Sequence, residues 1–342
     1  MAPTHVAVLG GSSPFTAGLV DALLPVADQL GPRTLALHGR NVEHLRLVDH
    51  YARIRLRPYG WQVRSTTDMA DAVADARIVI HQIRYGDMEG RAASEAFCAR
   101  HGCVADETLG PAALLTALLA GPALARTCEV LRAYAADAWI LNLTNPLSSI
   151  TAIMAAGLPR CMGLCELPLV TARQTAHLLG LDLEQVEWHY TGLNHRGFIH
   201  RLRGAGGDLL EGLPGRLGDN TVVGVTAQEI ADLGALPLKY FGLLRGDMPS
   251  ASRRGLELMA LRSRLYAELA ANPGESPPSL RERYMDWYPE ALVPVLRALH
   301  ADRPEPHIVS QLAVDGLVWE RTADISRAGV YPHPVTTCNG PV

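Results

Sequence analysis

Three apolar runs of strand length, all within residues 139–200, end in polar side chains that a packed core would not select. These ends place Asn145, Cys165, Asn194 and His195 after predicted strands. Because ligands of open α/β sheets bind outside the carboxyl ends of the strands, we expect these side chains to meet in one crevice. A thiolate and an imidazole form half of a metal site, so Cys165 and His195 are the predicted metal ligands. A small core residue for Cys165 and a hydrogen-bonded core residue for His195 remain the alternatives.

The first strand of the chain, HVAVL, enters a glycine turn that is followed by a segment with helical spacing. A strand, a glycine turn and a helix N-terminus bind a dinucleotide pyrophosphate, because free backbone N–H groups and the helix dipole favour an anion. The predicted cofactor-binding residues of this turn are Gly10, Gly11, Ser12, Ser13, Phe15 and Thr16. Ser12 and Phe15 stand at two glycine positions of the G-x-G-x-x-G pattern, so an ordinary strand–turn–helix is the alternative.

The second predicted strand, residues 34–41, contains Gly39 and Arg40 where dinucleotide-binding folds place the acidic residue that holds the ribose. Gly39 has no side chain to accept hydrogen bonds from the ribose, whereas Arg40 can pair with a 2′-phosphate. The sequence therefore leaves NAD and NADP open as cofactors, and we expect NADP to bind at least as well as NAD. The alternative for Arg40 is a solvated residue at a helix start.

Strand-like and helix-like segments alternate through residue 164, which predicts parallel strands joined by helical crossovers. One predicted strand covers residues 75–86 and carries Arg84 near its end, and Arg91 lies on the helix that follows. The predicted fold class is therefore α/β, with a doubly wound parallel sheet of the Rossmann type.

Beyond residue 200 the pattern changes. A glycine-rich, loop-like stretch at 201–219 precedes helical segments, one of them at 253–271, and β-rich sequence begins near residue 307. We predict an NAD(P)-binding Rossmann domain over residues 1–160 and an α+β metal- and substrate-binding domain over residues 161–342.

Composition excludes several classes of function. The chain has 342 residues, 48% of them hydrophobic and 19% charged, which is typical of a globular protein with two lobes. A net charge of −4 without blocks of like charge argues against a nucleic-acid or membrane-surface partner. The apolar tract at 110–125 contains two prolines and is predicted to be too interrupted to span a bilayer. Six cysteines without a C-x-x-C pair, and no evident signal peptide, predict free thiols in the cytoplasm.

Six motifs in register over about the first 200 residues resemble those of the family 4 glycoside hydrolases. They are G-G-S-S-P-F-T (10–16), Q-I-R-Y-G (82–86), E-T-L-G-P (107–111), N-L-T-N-P (142–146), G-L-C-E-L-P (163–168) and G-L-N-H-R-G (192–197). The resemblance implies a Rossmann lobe with a substrate lobe like that of lactate and malate dehydrogenases. It also implies an NAD-dependent glycosidase, a class that does not follow the usual two-carboxylate mechanism.

In this family, the sugar is oxidised at carbon 3, loses the proton on carbon 2, eliminates its aglycone, adds water and is reduced again. The resemblance places the divalent metal, usually Mn²⁺, on Cys165 and His195. It assigns Asn145 and Asn194 to the sugar hydroxyls, with Asn145 also beside the cofactor. Arg84 would hold a phosphate or carboxylate of the sugar, as would Arg91, and for both the alternative is a surface charge.

Tyr240 is the predicted catalytic base, because it is the tyrosine retained in the segment that supplies the base in relatives. The run of tyrosines beyond it is replaced, with Leu243 and Leu244 at positions where the base could otherwise lie. Glu166, directly after Cys165, is the predicted acid for the leaving group or a partner of the metal ligands, and solvent exposure is its alternative.

The leading prediction is an NAD(P)- and Mn²⁺-dependent hydrolase of a glycoside or phosphoglycoside that forms a homo-oligomer, either a dimer or a tetramer. A sugar or nucleoside dehydrogenase, epimerase or lyase on the same scaffold is the second hypothesis, favoured by the missing tyrosines. A cofactor-binding regulator is the third, and the retained metal ligands argue against it.

Overall fold

One mixed sheet organises the protein in the computed structural model, which describes residues 4–31, 33–246 and 253–334. Six parallel strands form its first half in the order β3-β2-β1-β4-β5-β6, the Rossmann order. They are β1 (Thr4–Leu9), β2 (Arg33–His38), β3 (Gln62–Thr66), β4 (Ile78–His81), β5 (Trp139–Asn142) and β6 (Cys161–Gly163). The predicted parallel sheet is therefore present.

Helices cover both faces of this parallel half. They are α1 (Thr16–Leu23), α2 (Ala27–Leu30), α3 (Val42–Leu56), α4 (Met69–Val73), α5 (Asp87–Arg100), α6 (Pro111–Tyr134), α7 (Leu147–Ala155) and α8 (Leu167–Leu178). The later helices are α9 (Leu213–Leu217), α10 (Ala227–Leu233), α11 (Gly242–Arg245), α12 (Arg254–Ala271) and α13 (Val293–Ala298), with a π-helical turn at Trp287–Leu292.

Alternation along β1 shows how the strands bury both faces. Val6 and Val8 join one hydrophobic cluster, and Ala7 and Leu9 join the other, as the two-residue period of a strand requires. The first cluster also contains residues of α12 and the π-helical turn, so late parts of the chain complete the core of the first lobe. The domain boundary at residue 160 stays a prediction.

The second half of the sheet is antiparallel and continues from β6 in the order β13-β14-β7-β8-β12. Its strands are β7 (Glu187–Leu193), β8 (Arg196–Gly204), β12 (Leu236–Pro237), β13 (Glu305–Leu312) and β14 (Val318–Ser326). Two more strands, β9 (Gly207–Asp208) and β15 (Gly329–Pro332), pair with β8 and β14, and β10 (Thr221–Val222) with β11 (Val225–Thr226) forms a separate ribbon.

The seam between the two halves lies beside the predicted metal ligands. Ser310 of β13 pairs with Gly163 of β6, two residues before Cys165. On the other side of β13, Ser310 faces Glu320 of β14, which in turn pairs with Gly192 of β7. The last strand of the parallel half is thereby linked to the turn that carries His195.

Two predicted elements differ from the structure. The strand expected over residues 75–86 is confined to β4, because Arg84 and Tyr85 leave the sheet to bind polar partners. The stretch at 201–219 is not a loop throughout: β8 continues to Gly204 and pairs with β9, and α9 follows. Some of its glycines form the turn of this hairpin, because glycine adopts turn conformations with little backbone strain.

The apolar tract at 110–125, predicted to be interrupted by its prolines, belongs to helix α6. Pro122 lies inside this continuous helix of 24 residues. By length and composition α6 is apolar enough to cross a membrane, although composition alone is weak evidence for that. Ala120, Leu124 and Leu131 pack into the core of the parallel half, while Leu114 and Leu118 are exposed.

A glycine in β7 provides a test of the turn that carries His195. Gly192 has φ +152°, and a Cβ there would lie 2.2 Å from Gly197 Cα across the hairpin. We expect Gly192→Ala to lower the free energy of unfolding by about 2–3 kcal/mol, because backbone must move to admit the methyl group. Gly206→Ala, which meets nothing within 4 Å, is the matched control and should cost less than about 0.5 kcal/mol in denaturant titrations. Equal stabilities of the two variants would contradict this account of the hairpin.

Candidate functional site

A single cavity of about 830 Å³ runs along the carboxyl ends of the parallel strands. It extends from the glycine turn after β1, past the ends of β2 and β4, to Cys165 and His195. This volume lies within the range of small-molecule and cofactor sites. The crevice predicted from the strand ends is therefore one continuous space.

The glycine turn is shaped by the backbone next to it. Gly10 has φ +92°, and a Cβ there would meet the Gln82 carbonyl oxygen at 2.8 Å, so only glycine fits. The amides of Gly10 and Gly11 both donate to the His38 carbonyl, at 3.1 and 2.7 Å. These amides are thus used within the fold, which differs from the free N–H groups that the motif predicts.

Several side chains hold the turn in place. The Tyr266 hydroxyl donates to the Ser12 carbonyl at 2.8 Å, and the Tyr266 ring stacks on His44 with centroids 3.7 Å apart. Gln82 Nε2 donates to Thr16 Oγ1 at 2.9 Å. Of the predicted turn residues, those that line the cavity are Gly10, Ser12, Ser13 and Phe15, whereas Gly11 and Thr16 are buried behind it.

The end of β2 has no room for an acidic ribose-binding residue. A Cβ on Gly39 would lie 2.3 Å from Ser12 Cβ and 3.0 Å from the Ser12 amide nitrogen. Arg40, the next residue, is exposed and lines the cavity. Asn41 uses its side chain to cap α3, accepting from the His44 amide at 2.9 Å.

Arginine side chains converge on one carboxylate in the middle of the cavity. Arg84 and Arg91 each place a guanidinium nitrogen 2.8 Å from Glu107 Oε2. Burial favours the neutral acid, but Arg84 and Arg91 outweigh it and hold the pKa of Glu107 at about 2. Asn145 approaches the other oxygen of Glu107, Oε1, at 3.5 Å. The structure therefore brings Arg84, Arg91 and Asn145 together around Glu107, and their roles stay predictions.

A further arginine, Arg283, comes from the distant segment before the π-helical turn. Its guanidinium lies 4.2 Å from the Phe15 ring centroid and 4.9 Å from that of Trp287. Burial and the like charge of Arg84 lower the pKa of Arg283 to about 10, so it remains a cation at neutral pH. The cavity thus holds more positive charge than Glu107 neutralises.

His195 and Tyr240 form the far end of the cavity. His195 occupies the tight turn between β7 and β8 with φ +63°, and its ring stacks on Tyr240 with centroids 4.3 Å apart and 7° between the planes. Burial, followed by the charge of Lys239, lowers the pKa of His195 to about 3, so the ring is neutral at physiological pH. Its buried Nδ1 has no hydrogen-bond partner within the described residues.

Cys165 lines the same end of the cavity. Burial, and then the charges of Glu166 and Glu320, raise the pKa of the thiol well above its usual range. A bound cation would reverse this preference, since metal ligation stabilises the thiolate. No three His, Cys, Asp or Glu side chains cluster to hold a metal anywhere in the described chain. A thiol and an unpartnered imidazole nitrogen still fit a divalent ion whose other positions are filled by substrate and water.

Glu166 and Lys239 border the same pocket. Burial raises the pKa of the Glu166 carboxyl, while the charge of Lys239 acts in the opposite direction. The Lys239 ammonium lies 5.1 Å from the Tyr240 ring centroid. Burial and four neighbouring acidic groups, Asp106 first, raise the pKa of the Tyr240 hydroxyl. Without a bound cation, the hydroxyl therefore stays protonated.

Asn194 is placed differently from the other predicted residues. It is 3% exposed and does not belong to the cavity lining. Its Nδ2 donates to Glu320 Oε1 at 2.8 Å. Asn194 therefore lies outside the cavity, next to the predicted ligand His195, and its role in binding sugar stays a prediction.

Sequence reasoning missed several residues of this site. Glu107 stands in the quoted E-T-L-G-P motif without a role, and Lys239 directly precedes Tyr240. Arg283, Trp287 and Tyr288 come from a segment without a motif, and only the packing of the π-helical turn against the first lobe reveals them. Tyr288 donates to Gln82 Oε1 at 2.8 Å and so joins this segment to the glycine turn.

Known proteins share this sequence pattern. A family model described as family 4 glycosyl hydrolase matches residues 5–181. The chain is 27% identical to the 6-phospho-beta-glucosidase BglT of Thermotoga maritima over 322 residues, which covers 90% of the chain and 76% of BglT. It is 29% identical to the phospho-alpha-glucosidase PagL of Clostridium acetobutylicum over 204 residues, 58% of the chain and less than half, 46%, of PagL.

Solved structures share the fold. The Thermotoga maritima 6-phospho-beta glucosidase with NAD and glucose-6-phosphate gives a TM-score of 0.85 at 24% identity, covering 97% of this chain and 84% of that one. A 6-phospho-alpha-glucosidase from gut microorganisms with NAD and Mn²⁺ gives 0.83 at 20% identity, with the same coverage of 97% and 84%. Malate dehydrogenase from Plasmodium falciparum gives 0.52 at 15% identity, covering 98% and 92%.

These comparisons confirm the predicted Rossmann-type fold with its malate-dehydrogenase-like second lobe. Of the predicted cofactors, NAD and Mn²⁺ are bound in similar structures, and the preference for NADP stays a prediction. The predicted enzyme class is that of the matched family. Because the family model covers more than half of the residues, this protein belongs to family 4 of the glycosyl hydrolases.

Proposed function

We propose that this chain is an NAD(P)- and divalent-metal-dependent glycosidase that cleaves a glycoside carrying a phosphate on its sugar. One observation carries the proposal: a single cavity joins the glycine turn, an arginine cluster and the Cys165–His195 end. Its relatives are named as phospho-glucosidases, and two similar structures contain NAD with Mn²⁺ or glucose-6-phosphate.

The arginine cluster supports an anionic sugar. The charges of Arg84, Arg91 and Arg283 all act on Glu107, and Asp106, which also lines the cavity, acts on Arg91. Arg91 also pairs with Glu95 at 2.9 Å, which leaves Arg84 and Arg283 as the less neutralised charges. Planar guanidinium groups bind phosphate through paired hydrogen bonds. A phosphate on the sugar would pair with Arg84 and Arg283.

The metal end supports chemistry at carbons 2 and 3 of the sugar. Bound NAD(P) would supply a hydride acceptor, and a divalent ion would supply Lewis acidity. Cys165 and His195 would hold that ion, with Asn145 beside the sugar hydroxyls. Tyr240, stacked on His195, would release its own proton to solvent when a divalent ion is bound and, as the phenolate, take the carbon 2 proton. Glu166, whose carboxyl pKa burial raises, would give a proton to the leaving group.

Deuterium incorporation tests the reaction. In deuterated water, with cofactor, Mn²⁺ and a 6-phosphoglycoside, we expect free sugar phosphate with deuterium at carbon 2 and no net NAD(P)H. Exchange follows from removal of the carbon 2 proton, and the hydride returns within the cycle. Accumulated NAD(P)H would instead indicate a dehydrogenase, and an unsaturated or rearranged product would indicate a lyase or epimerase. NMR of the product measures the deuterium at carbon 2, and absorbance of the cofactor measures the net NAD(P)H.

Replacing Tyr240, the proposed base, should separate removal of the carbon 2 proton from the first hydride transfer. We expect Tyr240→Phe to slow carbon 2 exchange by about 100-fold or more, the usual contribution of a positioned base, and to affect the first hydride transfer much less. Tyr134→Phe, at the exposed end of α6, is the matched control. If exchange is unchanged in Tyr240→Phe, the base is another residue.

The phosphate contact is tested by removing one charge. Arg84→Gln should weaken binding of glucose 6-phosphate about 10-fold or more, since a hydrogen bond to a charged group contributes about 1.5–3 kcal/mol. Binding of unphosphorylated glucose should change little. Arg100→Gln, an identical charge change at an exposed site on α5, is the control in calorimetric titrations. Equal phosphate affinity in both variants would remove Arg84 from the anion site.

Cofactor selection rests on Arg40. We expect NADP⁺ to bind at least as tightly as NAD⁺, and Arg40→Ala to weaken NADP⁺ binding about 10-fold with little effect on NAD⁺. Arg46→Ala, an exposed arginine on α3, should leave both affinities unchanged. Titrations monitored by intrinsic fluorescence measure these constants, and a strong NAD⁺ preference in the unaltered protein would disprove the role of Arg40.

A further inference from the structure

A buried carboxylate lies directly behind the proposed metal ligands. Glu320 of β14 is completely buried, and its Oε2 accepts from the Tyr190 hydroxyl at 2.7 Å. Its Oε1 accepts from Asn194 Nδ2 at 2.8 Å and from the Ser310 hydroxyl at 3.2 Å. All three donors are neutral. Burying a carboxyl group is expensive unless hydrogen bonds or an opposite charge compensate, so this arrangement needs a reason.

The register of the sheet places Glu320 between the two ligand segments. Glu320 faces Ser310 on one side, and Ser310 pairs with Gly163, two residues before Cys165. On its other side Glu320 pairs with Gly192, three residues before His195. Asn194, the residue next to His195, donates to Glu320. One carboxyl group is therefore bonded to the turn that carries His195 and lies across β13 from the strand that precedes Cys165.

Glycines provide the space that this arrangement needs. A Cβ on Gly197 would lie 2.2 Å from the Tyr190 hydroxyl oxygen, and one on Gly163 would lie 3.2 Å from Ser310 Cβ. Gly192, opposite Glu320, is equally restricted by Gly197. Larger residues at these positions would displace the donors of Glu320. The packing around the carboxylate is therefore specific to it.

We propose that Glu320 is a positioning residue of the metal centre: through Asn194 it holds the turn that carries His195 against β14, which pairs with β13 and so with the strand that precedes Cys165. This inference rests on the metal centre of the proposed function. Groups behind metal ligands orient them, and their loss typically weakens metal binding by about 10–100-fold. Glu320 does not line the cavity, so its effect passes through Asn194 to the turn that carries His195.

Binding of Co²⁺ alone tests the role, because a cysteine thiolate on Co²⁺ gives a charge-transfer absorption band. We expect Glu320→Leu to weaken Co²⁺ binding about 10–100-fold and to shift or remove this band. Affinity for NAD⁺, which binds at the other end of the cavity, should stay within about twofold. Glu320→Gln keeps an acceptor oxygen for Asn194 and should restore most of the Co²⁺ affinity. A merely structural role for Glu320 would lower the affinities for Co²⁺ and NAD⁺ together.

Two further variants keep the test decisive. Asn194→Ala breaks the bond between Glu320 and the turn that carries His195, while Glu320 keeps Tyr190 and Ser310. It should lose as much Co²⁺ affinity as Glu320→Leu, and it tests the proposal even if Glu320→Leu fails to fold. Tyr190→Phe removes only the donor to the other oxygen and should stay within about threefold of the unaltered protein. An unchanged Co²⁺ affinity and band in Asn194→Ala, or an equal loss in Tyr190→Phe, would overturn the proposal. If the unaltered protein binds no Co²⁺, the metal centre itself is wrong, and a failure of that kind is distinct from a wrong role for Glu320.

Discussion

The pairing of β6 with β13 is the constraint on which the site depends. The parallel half of the sheet ends in a strand of three residues, and Ser310 is the residue that pairs with it. From β13 the sheet continues through β14 to β7, and the turn that follows β7 contains His195. Cys165 and His195 thus line the same cavity because two differently built half-sheets share an edge. The cost of burying Glu320 at this edge is offset by hydrogen bonds that fix the register.

Electrostatics divides the cavity into regions with different preferences. In the middle, guanidinium groups outweigh burial and keep Glu107 ionised, with a pKa of about 2. At the far end, burial dominates, so the Cys165 thiol and the His195 ring are both neutral without a cation. The same low-polarity environment would strengthen the attraction of a bound cation for the thiolate. A bound anion suits the first region and a bound cation the second.

The cofactor end is organised by close backbone approach. Gly10 lies against the Gln82 carbonyl and Gly39 against Ser12, so the turn and the end of β2 leave no space for side chains. Tyr266, from α12, then closes the turn from a segment far along the chain. The substrate and cofactor regions are joined in a similar way, since Gln82 bonds both Thr16 and Tyr288. Late helices therefore complete a site that begins in the first residues.

The sequence by itself determined the local elements and the ends of the strands. Alternating strands and helices predicted the parallel sheet, and because strand ends must face one crevice, Cys165, His195, Asn145 and Arg84 could be assigned to it. Only the tertiary structure decided which distant groups complete the site, such as Arg283 and Glu320, because nothing in their local sequence encodes a partner more than a hundred residues away. It also decided that residues 201–219 form a hairpin and a helix, since glycines occur in loops and in hairpin turns alike. The local sequence pattern determines on which face of a strand or helix a residue lies, but only tertiary packing determines which residues it contacts there.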